Sequence, residues 1–445
     1  MARRGRLIAL VLLAGACRGG DDKPDHRDRA AEKPVGAAAD KPAADQPARP
    51  PRDESARARE LARRFIIMDG HVDVPHRLSL RLDAHGQPTE DVSRRTEHGN
   101  FDFPRAVEGG LDAPFMSIYV PSSFQKTGGA RKTADQLIDM IEKLAASHPD
   151  QFRVARSPDQ VVENSKAGRI SLPLGIENGA AIEDDLANVA HFHKRGVRYI
   201  TLTHSEDNLI CDSSYATTRT WKGLSPFGRN VVAEMNRLGI MVDVSHISDQ
   251  AFDQVLQVTK APVIASHSSA RHFTPGFERN LDDERIKVLA AAGGVILVNF
   301  GSSFIDQRSR DSFDQMREAV KKQTEGRNPP PGELERDELQ AAYAAQHPPV
   351  FARVEQVADH IEHIVKLVGV DHVGLGSDFD GVGDSLPTGL KDVSGYPNLI
   401  RVLLERGMSE ADVEKICGGN FLRVWRAVED HARAAGASPA RPKGN

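Results

Sequence analysis

The chain has little cysteine: three residues in 445. A protein so poor in cysteine must be held by its core rather than by disulfides. Cys211 and Cys417 show no metal-like spacing, and their positions leave open whether they pair. Blocks of like charge are also missing. Lys and Arg total 58 against 63 Asp and Glu, for a formal net charge of -5. That balance gives no sign of a nucleic-acid partner or a membrane-binding surface. There is no Gly-rich phosphate loop. The apolar run at the N-terminus, Leu7 to Ala14, is too short for a membrane span. Residues 18 to 53 have almost no large apolar side chains. Such a segment cannot bury enough surface to offset the entropy of ordering.

What is present sets out the organisation. Arg3, Arg4 and Arg6 precede the Leu7–Ala14 run, then come small residues and Cys17. This is the order of a secretory signal over 1–17. Cys17 after Ala14-Gly15-Ala16 resembles a bacterial lipobox, although Ala14 stands where Leu is usual. The expectation is export and a lipid anchor at Cys17; the plain alternative is an ordinary cleaved signal. Residues 18–53 read as a disordered tether, 54–433 as one large domain and 434–445 as a flexible tail.

Eight apolar, β-branched runs follow: Phe65–Met68, Pro114–Val120, Leu172–Ile176, Val197–Thr203, Ile240–Ser245, Pro262–Ser266, Gly294–Phe300 and Val373–Ser377. Amphipathic helix patterns separate most of them, as at Val354, Val357, Ile361, Ile364, Val365 and Val368. Gly196, Gly239 and Gly369 are expected to cap helices and lead straight into strands. Eightfold strand–helix alternation predicts an α/β fold of the (β/α)8, TIM-barrel type. An open doubly wound sheet is the rival. A long charged insert, about 302–349, follows strand seven. It is either a lid on the active face or a solvated ornament.

The chemistry gathers at the strand ends. Strand one is followed by Asp69-Gly70-His71-Val72-Asp73. Residues i and i+2 on a strand share a side, so His71 and Asp73 can aim at one point, which suits a divalent metal such as zinc. The bland reading is a hydrogen-bonded pair. Strand three ends at Glu177, strand four at His204, strand five at His246, strand six at His267 and strand eight at Asp378. Each alone could be a structural histidine or a helix N-cap. Together they converge on one barrel mouth and predict a metal site. The set exceeds what one catalytic zinc needs and suits a two-metal centre bridged by a carboxylate. His191, His193, His360 and His363 are expected on helices, and His76, His85, His98 and His148 in loops, none of them ligands.

These residues sit in stretches that resemble the membrane (renal) dipeptidase family, a zinc peptidase branch of the amidohydrolase-like barrels. The matching stretches are DGHVDVP (69–75), GIENG (175–179), YITLTHSEDN (199–208), GLSPFGRNVVAEMNRLGIMVDVSH (223–246), APVIASHSSAR (261–271), Arg279-Asn280 and GSDFDG (376–381). The resemblance implies hydrolysis of dipeptides by a metal-bridging hydroxide. It implies two zinc ions, with His71 and Asp73 on the first, His246 and His267 on the second, and Glu177 as bridge. It implies that His204 polarises the substrate and that Arg279 binds its carboxylate. Asp378 would manage protons. A homodimer is compatible with it. Glu177-Asn178-Gly179-Ala180 departs from the family's usual EGGH, outside the ligand positions, and bears on substrate preference.

Two alternatives stand beside this reading. One is another binuclear amidohydrolase, a lactonase or phosphotriesterase, many of which bridge their metals with a modified lysine from strand four; that strand here offers His204. The other is a non-catalytic metal-binding lipoprotein, which loss of Asp378 or a ligand would favour.

Overall fold

The computed structural model describes residues 54–436. The expected signal with Cys17, the tether, and residues 437–445 of the tail lie outside them. Eight parallel strands run β1 (Ile67–Val72), β2 (Leu111–Tyr119), β3 (Leu174–Glu177), β4 (Val197–Thr201), β5 (Met241–Asp243), β6 (Ile264–Ala265), β7 (Val295–Val298) and β8 (Val373–Leu375). They pair in that order. The ring closes at its C-terminal rim. Val72 and Phe379 form a parallel bridge. The Asp73 amide donates to the Phe379 carbonyl at 2.8 Å, and the Asp378 amide to the His71 carbonyl at 3.1 Å. This is a (β/α)8 barrel, and the closure rules out an open doubly wound sheet.

Local sequence explains the elements. β7 reads Val-Ile-Leu-Val and is buried along its whole length, as a strand covered on both faces must be. The helix Pro226–Leu238 starts at Ser225, whose Oγ accepts from the Gly228 amide at 2.9 Å. Pro226 fits the first turn, Val231, Val232 and Met235 face the core, and Gly239 ends the helix at φ 79°. Gly196 caps in the same way. Gly369 does not. Its ψ of 162° is extended, and a 3-10 turn, Val370–His372, separates it from β8.

Three other features differ from the sequence expectation. β1 begins later than Phe65, because Phe65 caps the preceding helix Ser55–Arg64. A short parallel pair, Phe152–Arg153 with Ile170–Ser171, stands apart from the barrel. The insert after β7 is helical, with Ser302–Ile305, Gln307–Thr324 and Glu333–Gln346. Cys211 and Cys417 are buried and unpaired. No helix among the described residues is long and apolar enough to cross a membrane.

Candidate metal centre and active site

Asp73, Glu177, His204, His246 and Asp378 line one cavity of about 1060 Å³ at the barrel mouth, and His71 and His267 stand directly behind Glu177. His71 lies on β1, and the chain turns at Asp73, which precedes the helix Val74–Ser79. Glu177 ends β3. His204, His246 and His267 come from the loops after β4, β5 and β6. His71, Asp73, Glu177, His246, His267 and Asp378 are all buried, and His204 is partly so.

Glu177 is the hub. Its Oε1 lies 3.0 Å from His246 Nε2, 3.3 Å from His267 Nε2 and 3.5 Å from His204 Nε2. Its Oε2 lies 3.4 Å from His71 Nε2, which is 3.3 Å from Asp73 Oδ2. His71 Nε2 makes no hydrogen bond despite these neighbours, and neither does Asp73 Oδ1. Buried polar atoms are normally paired. At this half of the centre, buried donors that crowd together unpaired fit a cation between them; at the other half, His246 Nε2 and His267 Nε2 lie 2.9 Å apart, both turned toward Glu177 Oε1. Around a four-coordinate zinc, ligands at about 2.0–2.1 Å stand roughly 3.3 Å apart, close to these spacings. The donor set therefore fits metal ions.

The electrostatics agree. Burial lowers the His71 imidazole, but Tyr199, Glu177 and Asp73 outweigh it and hold His71 well above the usual histidine range. That position attracts a cation, whether proton or metal. Burial, with Arg279 nearby, keeps His246 and His267 well below that range, so both stay neutral, as metal binding requires. Burial also lowers His204. Glu177 is raised by burial, but His71, His204, His246 and His267 pull it well below the carboxylate range.

Asp378 and Arg279 flank the centre. Asp378 takes a hydrogen bond from Asn299 Nδ2 at 2.7 Å on Oδ2. Burial first, then Asp73 and Glu177, push its carboxyl up to about 7 against the pull of His71 and Arg279. Gly381 has to be glycine here: a Cβ would sit 2.2 Å from Asp378 Oδ1 and 2.2 Å from Asp73 Oδ2. Arg279 is only 2 % exposed. Its Nη1 donates to Ser268 Oγ at 2.7 Å, while Nε and Nη2 have no partner. Nε and Nη2 form one edge of the guanidinium, the edge that grips a carboxylate with two parallel bonds.

Comparison with known proteins settles the family. A family model described as membrane dipeptidase (peptidase family M19) matches residues 55–439. The chain belongs to the membrane dipeptidase family. Dipeptidase tcpJ of Claviceps purpurea is 34% identical over 376 residues, covering 82% of this chain and 77% of that one. The probable dipeptidase PvdM from Pseudomonas aeruginosa has a crystal structure with a TM-score of 0.73. It is 28% identical and covers 86% of this chain and 100% of its own. A metallo peptidase from Rhodobacter sphaeroides, liganded with a phosphinate mimic of L-Ala-D-Ala, is 26% identical with a TM-score of 0.66. It covers 82% of this chain and 99% of its own. The protein is thus a metallo-dipeptidase, a hydrolase, with candidate metal-binding groups at its barrel mouth.

This membrane dipeptidase also uses residues the sequence did not single out. Tyr199 OH lies 2.8 Å from His71 Nδ1, and Ser266 Oγ lies 2.7 Å from His267 Nδ1. Each fixes which ring nitrogen faces the centre. Gly175 leaves room for Tyr199, since a Cβ there would lie 2.1 Å from the ring. Buried Asp243 accepts from Ser266 Oγ at 2.6 Å and from the Ser245 and Ser266 amides. Asn299 was visible as a lone polar residue ending an apolar strand. His76 is not in a loop. It lies on the helix Val74–Ser79, lines the cavity and meets Glu333 of the insert at 2.9 Å. Phe313 and Met316 of the insert line the same cavity, so the insert is a wall of the active-site chamber.

Tyr199→Phe should weaken metal binding roughly 10- to 100-fold, the usual cost of losing a group that orients a ligand. Turnover at saturating metal should change little. Competition against a chelator measures this; a curve that overlays the wild type would mean the hydroxyl does not orient His71.

Proposed function

We propose that this dipeptidase works with two zinc ions, one held by His71 and Asp73, the other by His246 and His267, and both by Glu177. The observation that carries this reading is the split of the Glu177 carboxylate: one oxygen faces His71 while the other faces His246 and His267. Such a pair, when bound, supplies an acidified water as nucleophile and a Lewis acid for the scissile carbonyl.

The chain's own residues do the rest. Arg279 offers its free edge to the substrate's C-terminal carboxylate. A buried guanidinium with two unpaired donors is costly until an anion meets it. His204, neutral and facing the cavity, donates to the oxygen of the carbonyl as charge builds there. Asp378, held by Asn299, takes a proton from the attacking water and gives it to the leaving amine.

Metal analysis of active protein should return about two zinc ions per chain. Glu177→Gln should lower occupancy at both positions, because the shared carboxylate loses its charge. A chelator should abolish hydrolysis of a panel of L,L- and L,D-dipeptides, and zinc should restore it. A single tightly bound ion in fully active enzyme would overturn the binuclear reading.

A further inference from the structure

A second group of metal-type donors lies outside the active-site chamber. His272, Asp283 and His363 each offer a ligand atom, all within 4.8 Å of one another. They come from the 3-10 turn Arg271–Phe273 after β6, the start of the helix Asp283–Ala291, and the helix Val354–Val368. None lines the active-site cavity. His363 Nε2 lies 2.8 Å from Asp283 Oδ1. The rings of His272 and His363 stack at 4.4 Å with an interplanar angle of 18°.

We infer that His272, Asp283 and His363 form an accessory site for a divalent transition cation of the zinc type. Two imidazoles and one carboxylate select zinc, nickel or copper over magnesium or calcium, which prefer oxygen ligands. Three protein donors leave the remaining positions to water. The neighbouring cations have closer partners than Asp283: Lys287 pairs with Glu284 at 2.7 Å. Arg271 pairs with Asp249, and Arg285 with Asp282 and Asp253. The rings are also held in place. Phe273 packs against His360 at 4.4 Å and His363 at 5.6 Å. His360 in turn accepts from the Ala270 amide at 3.1 Å and meets the Ile305 carbonyl at 2.9 Å. An ion here ties the loop that carries Arg279 to the helix that supports the insert.

The test is a zinc titration of the full chain by calorimetry and metal analysis, read together with melting temperature. The wild type should take up one equivalent beyond those at the barrel mouth, and excess zinc should raise its melting temperature. The double variant His272→Ala/His363→Ala should lose that equivalent and that rise, yet keep its dipeptidase activity at limiting zinc. His272→Gln alters only an exposed side chain and guards against misfolding; it should weaken the extra equivalent roughly tenfold or more. Glu177→Gln should keep the extra equivalent while losing the ions at the mouth, which separates this site from the catalytic one. Equal zinc uptake and equal melting shifts in wild type and double variant would overturn the inference, as would no uptake beyond the mouth in either.

Discussion

Asp378→Asn should cut kcat by about 10²- to 10⁴-fold, the usual worth of a positioned general acid–base. KM and zinc content should barely move, because Asn keeps the shape and can still meet Asn299. The same carboxyl predicts a pH effect. Burial with Asp73 and Glu177 alongside pushes it up to about 7. Cations bound at the neighbouring donors would pull it down again. The ionised form, which accepts the proton, prevails above its pKa. In the loaded enzyme kcat/KM should therefore fall as pH drops through a value at or below about 7. Near-normal turnover in a folded, fully metallated Asp378→Asn protein would remove this residue from the mechanism.

Arg279→Ala should be nearly as damaging, but only on substrates with a free C-terminus. Losing one partner of a buried charge pair costs about 2–5 kcal/mol. That is roughly 30-fold to several-thousand-fold in kcat/KM. Dipeptide C-terminal amides should already be poor substrates of the wild type, since a neutral amide leaves Arg279 unmatched. The variant should lose little more on them. The geometry behind this contrast is specific: Nε and Nη2 are the unpartnered pair, while Nη1 is tied to Ser268. Equal losses on acid and amide would show that Arg279 does not read the carboxylate.

The barrel was legible because each strand announces itself twice, as a short β-branched run and as a boundary with an amphipathic helix. The mouth residues were legible for a related reason. A His, Glu or Asp placed just past such a run is out of character with the run, and barrel geometry sends all such ends to one face. The orienting residues were harder to read. Tyr199 looks like any apolar-strand aromatic until the ring is closed and His71 stands opposite. Asn299 matters only because Asp378 arrives from the next strand. His76 was misread because its partner, Glu333, is far away in sequence, and no local pattern encodes that contact. His363 was read as a helix residue and no ligand, and His272 was not singled out, for the same reason. Their spacing along the chain carries no motif, and only packing brings them together.

The seam between the first and last barrel strands also bears on when the enzyme can become active. Asp69 on β1 accepts from the Ser377 amide at 2.9 Å and from the Tyr396 hydroxyl. His71 and Asp73 hold the backbone of Asp378 and Phe379. The strand end that carries His71 and Asp73, made first in synthesis, thus meets Asp378, made some three hundred residues later. Contacts of such long range form late in folding. A nascent or truncated chain carries His71, Asp73 and Glu177 without Asp378, so it has part of the proposed ligand set and lacks the proposed proton carrier. If Asp378 moves the proton as proposed, peptide hydrolysis waits for the completed ring, and the chain does no chemistry while it is still being made.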